Sequence, residues 1–141
     1  MRSRLTRRRL VVTGAALVLL TGCAGQPYEP SFETVRQTLY ADGIPDGQER
    51  ALADGLLTEQ ELTAAIDASN RCVATIPGIE LTEPYRWIPQ DGDFDGGNVD
   101  LNPGADEETA LAAAEACYVE HVALIEYAWL DQFYFGSWAQ E

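Results

Sequence analysis

The chain has 141 residues, with 23 carboxylates against nine basic side chains, a net charge of −14 and three cysteines. That length allows one domain. So large a surplus of acid is repelled by nucleic acid and anionic headgroups, which excludes a nucleic-acid partner and favours basic proteins, basic peptides or divalent cations.

The first 22 residues form a targeting segment. Arg2, Arg4, Arg7, Arg8 and Arg9 make a cationic start, and Leu10 to Leu20 is apolar apart from Thr13 and Gly14. Eleven residues are too few to span a bilayer, which takes about 20, but they suit the apolar region of a signal peptide. Leu20-Thr21-Gly22-Cys23 then resembles the lipobox of bacterial lipoproteins. A thiol there accepts a diacylglyceryl group, and small residues before it let a membrane peptidase reach the Gly22–Cys23 bond. Two acyl chains anchor a protein stably where one does not. Cys23 is therefore expected to carry lipid and to hold the chain at the outer face of the cytoplasmic membrane. Thr6-Arg7-Arg8-Arg9-Leu10-Val11 also resembles a twin-arginine export signal, which leaves that route and the general secretory one both open. Removal of residues 1–22 would leave Arg36, Arg50, Arg71 and Arg86 against 23 carboxylates, a net charge of −19.

Residues 23–30 read as a short tether with two prolines, and 31–141 as one acidic domain. Ser31 can cap a first helix with apolar positions Phe32, Val35 and Leu39. A short helical piece follows near Gln48 to Ala53. Thr58 and Glu61 form a capping box opening a helix over about 59–75, whose inward stripe includes Leu62, Ala65, Ile66, Ser69, Cys72, Val73 and Ile76. Ile79–Thr82 and Tyr85–Ile88 are strand-like and separated by Pro84, which predicts an edge position or an irregular hairpin. Asp91 to Gly104 is loop, with a third strand at 98–101. Asp106-Glu107-Glu108 opens the longest helix, roughly 106–134 and uninterrupted, which buries Leu111, Ala114, Cys117, Tyr118, His121, Val122, Ile125, Trp129 and Phe133.

Cys72 and Cys117 face inward on the two best helices, and in an oxidising compartment such a pair reads as a disulfide. The expected architecture is α+β: a small helical domain of three main helices, a short β-hairpin or small sheet, and one helix-to-helix disulfide. The lipobox, the Ala53-Asp54-Gly55-x-x-Thr58-x-x-Glu61 turn into a cysteine-bearing helix, and a second cysteine in a C-terminal helix resemble small acidic lipoproteins of high-GC Gram-positive bacteria. That family has no settled activity, so the resemblance implies fold and location alone.

Three features bear on function. Asp91-x-Asp93-x-Asp95-Gly96 has the alternating carboxylates and glycine of a calcium loop, but Asn98 and Asn102 stand where an EF-hand needs an apolar residue and a bidentate glutamate. A solvated acidic loop is the competing reading, and no other cofactor is indicated. Cys117 and His121 have zinc-ligand spacing, which the disulfide accounts for more simply. One histidine, no phosphate loop and no distinguished carboxylate pair argue against an enzyme, a small envelope hydrolase being the residual alternative. Finally, Tyr127, Trp129, Phe133, Tyr134, Phe135 and Trp138 exceed what one helical face can bury. Trp129 and Phe133 are expected in the core. Tyr134, Phe135 and Trp138 are expected to pack over the hairpin near Trp87, the alternative being a patch that binds a basic protein or an envelope partner.

Overall fold

The computed structural model describes residues 31–138; the expected signal segment, Cys23 and the tether lie outside the described residues. In chain order the elements are α1 (Phe32–Leu39), α2 (Asp46–Leu52), α3 (Glu59–Ala74), β1 (Ile79–Glu83), β2 (Arg86–Ile88), β3 (Asp93–Asp95), β4 (Asn98–Leu101), α4 (Glu107–His121) and α5 (Ala123–Phe135). The class is α+β, and a disulfide joins Cys72 of α3 to Cys117 of α4, with the two Cα atoms 5.7 Å apart.

Local chemistry explains the helix starts. Thr58 Oγ1 accepts the Glu61 N–H at 3.2 Å while the Glu61 carboxylate accepts the Thr58 N–H at 2.9 Å, the reciprocal box expected from the sequence. Asp106 caps α4 through the Thr109 N–H at 2.9 Å. Ser31 occupies the N-cap of α1 without a side-chain bond to the backbone, and of the helix's apolar positions Val35 is buried while Leu39 is exposed.

The strands do not pair in sequence order. β1 and β2, separated by Pro84, pair with β4 and β3 respectively, giving two separate antiparallel two-stranded sheets. The acidic segment expected to be loop contains β3, because the Asp93-Phe94-Asp95 alternation sends one aromatic inward and two carboxylates outward. Phe94 sits opposite Trp87 in the register, with ring centroids 4.9 Å apart.

The expected long C-terminal helix is two. It breaks at Val122, whose backbone (φ −136°, ψ −25°) leaves the helical region. No proline or glycine marks the site. Val122, Ala123, Leu124 and Ile125 are all buried, which no one-sided helical stripe would allow, so the break lies at the centre of the molecule. Gln48 of α2, with no exposed surface, bridges it. Its Nε2 donates to the carbonyls of Val119 and Glu120 at 2.8 and 3.0 Å, and its Oε1 accepts the N–H groups of Leu124 and Ile125 at 2.9 and 3.4 Å. One carboxamide thus serves both helix ends, whose backbone groups would otherwise be orphaned. The Tyr40 hydroxyl adds a bond to the Val119 carbonyl at 2.6 Å.

Two further amides fix loops in the same bidentate way. Gln132 pairs with both backbone groups of Leu57 at 2.8 Å each, and Asn70 pairs with both of Tyr85 at 2.9 Å each. The described residues hold three core clusters, both sheets and the disulfide. Among those residues no helix is long and apolar enough to cross a membrane.

Candidate functional site

The aromatic residues converge where the β2–β3 hairpin meets α4 and α5. Trp129 and Phe133, one helical turn apart on α5, meet Trp87 edge-on at 5.9 and 5.2 Å. Tyr85 stacks on Phe94 at 5.5 Å and meets Tyr118 edge-on at 6.1 Å. The Tyr134 hydroxyl donates to the Gly92 carbonyl at 2.7 Å, tying the end of α5 to the hairpin turn. Gly92 is required there: its φ is +65°, and a Cβ would lie 2.6 Å from the Tyr134 hydroxyl oxygen.

Under this layer lies Glu126, a mostly buried carboxyl. One of its oxygens, Oε2, accepts both the Tyr85 hydroxyl and the Tyr118 hydroxyl, the latter at 2.8 Å. Burial raises its pKa, the two phenol bonds oppose that rise, and the charge of Asp93 adds to it. Burial and the same carboxylate push both phenols above the ordinary tyrosine range. The Trp129 indole Nε1 is buried and has no hydrogen-bond partner among the described residues.

The sequence-predicted positions are distributed unevenly around this site. Phe133, expected in the core, is 49% exposed and caps Trp87 from outside; Tyr134 and Phe135 are 52% and 54% exposed. Trp138, expected at the surface, is only 9% exposed. The reason is a reversal of the chain: Gly136 ends α5 in the left-handed conformation (φ +83°), and Trp138 packs into the Leu57–Leu62–Ile125 cluster against Phe32. Trp138 is therefore a core residue and is removed from the candidate surface.

Asp91, Asp93 and Asp95 lie along the hairpin, the last two pointing outward from β3. Asp91 lies in the turn, Asp93 Oδ1 accepts the Phe94 N–H at 2.8 Å, and Asp95 lies 3.4 Å from the Arg86 guanidinium. Among the described residues no group of three or more carboxylate, histidine or cysteine side chains is arranged to hold a metal ion. Sequence reasoning missed Glu126, Tyr85 and Tyr118 as a unit. A glutamate within the otherwise apolar run Val122–Leu130 was the available signal. Comparison with known families, curated proteins and solved structures finds no match to this chain.

Proposed function

We propose that this chain is a lipoprotein anchored through Cys23 outside the cytoplasmic membrane, and that it binds a partner protein through the aromatic ridge Phe133–Tyr134–Phe135. The anchor reading rests on Leu20-Thr21-Gly22-Cys23. The binding reading rests on one observation: three successive large aromatics, each about half exposed, continue the Trp87–Phe94 layer at the end of α5. Monomeric surfaces rarely leave such side chains contiguous, and aromatics are enriched in the centres of interfaces. Asp91 and Asp93 flank the hairpin end of the ridge, so the partner it suits presents an apolar patch with basic residues around it.

Crosslinking in intact cells, followed by capture of the chain, tests both parts. The expected result is a defined basic protein, recovered from the membrane fraction and lost in Tyr134→Ala/Phe135→Ser. Recovery of the same proteins with and without those substitutions would remove the ridge from the account. Cys23→Ser should move the chain out of the membrane fraction, and its retention there would overturn the anchor.

A further inference from the structure

Where the two sheets diverge, a cavity of about 300 Å³ opens between α3, α4, β1 and the Gly96–Gly97 turn. Its walls come from two core clusters: Val73, Leu81, Val99 and Ala114 from one, Tyr85 and Tyr118 from the other. The hollow is partly open to solvent and lies at the junction of the two clusters. Leu111, 44% exposed, stands at its rim.

No charged side chain lines it, although the domain holds 23 carboxylates. The cleft beside Arg50, Glu61, Glu120 and His121, and the hollow beside Glu59, Asp67 and Arg86, are both charged. The polar side chains that do reach this cavity are largely spent. The Asn70 amide is committed to both backbone groups of Tyr85, and the hydroxyls of Tyr85 and Tyr118 are committed to Glu126. Ser69 is left to offer one hydroxyl.

We infer that this cavity is a binding site for a small neutral apolar ligand: an alkyl chain or an aromatic ring carrying at most one polar atom. A water's share of liquid volume is about 30 Å³, so the hollow has room for a ligand of about ten water-sized groups. Glu126 is a positioning residue for the site, since it fixes the two tyrosine rings that form one wall.

The test uses residues 24–141, which contain the three core clusters, both sheets and the disulfide of the described residues. Methyl and aromatic NMR spectra are titrated with n-octanol as the linear probe and with naphthalene as the ring probe. Saturable shifts at Leu81, Val99, Leu111, Tyr85 and Tyr118 are expected with at least one probe, and which probe binds more tightly distinguishes a chain from a ring. Ala114→Leu fills the space and should weaken binding at least tenfold. Leu111→Glu, at an exposed helix position that leaves the core untouched, should do the same by placing a charge at the mouth. Absence of saturable shifts with either probe would overturn the inference, as would equal binding by the parent chain and a folded variant of either kind.

Discussion

The carboxamide oxygen of Gln48 accepts the Leu124 N–H at 2.9 Å, while the nitrogen of the same group donates to the Val119 carbonyl on the far side of the break at Val122. A residue of the short α2 thereby holds the junction of the two C-terminal helices. Gln48→Ala removes all these bonds and leaves buried backbone groups unpaired, so it should cost about 3 kcal/mol or more. Gln132→Ala, which frees the two backbone groups of Leu57 rather than four across a helix break, should cost less, about 1–2 kcal/mol. Denaturant unfolding of the two variants checks the order, and equal losses would refute the bridging role of Gln48.

Glu126 makes stability depend on pH in a defined direction. Its folded pKa is raised above the ordinary 4.5, chiefly by burial. The folded state therefore binds its proton more tightly than the unfolded state does. Its contribution is fully present below about pH 4.5 and is lost as pH rises through the folded value. Glu126→Gln should remove that component, so the difference between the two stability–pH profiles should slope across this window and flatten above it. A difference independent of pH would show that the carboxyl does not titrate there.

The Cys72–Cys117 bridge closes a loop with a sequence separation of 45. In the chain-entropy model that stabilises the fold by roughly 4 kcal/mol. Reduction, or Cys72→Ala/Cys117→Ala, should lower the unfolding midpoint accordingly, and free thiols at both positions in the native protein would contradict the bridge.

Trp138 and Phe135 lie three residues apart but should respond differently to truncation. Trp138→Ala empties a site in the central cluster and should cost about 3–5 kcal/mol. Phe135→Ser, at a half-exposed side chain, should change stability by about 0.5 kcal/mol or less while abolishing partner capture. Tyr134→Ala also loses the bond to Gly92 and should fall between them.

Features governed by neighbours along the chain were legible in the sequence. The Thr58–Glu61 box, the extent of α3, β4 at Asn98–Leu101 and the inward placement of Cys72 and Cys117 follow from capping chemistry and helical or strand periodicity. Composition likewise carries the expectation of a lipid-bearing Cys23, at a position outside the described residues.

Tertiary structure decided the rest. The break at Val122 has no breaker residue, and it persists because Gln48, 74 positions before it, satisfies the separated helix ends. Strand pairing skips Pro84 because β1 and β2 find partners further along the chain. Trp138 is buried and Phe133 exposed because a left-handed Gly136 turns the chain back over the core. Periodicity specifies which residues share a face, but it carries no information about what that face will meet. That depends on long-range packing and on which distant side chain can supply the missing hydrogen bonds.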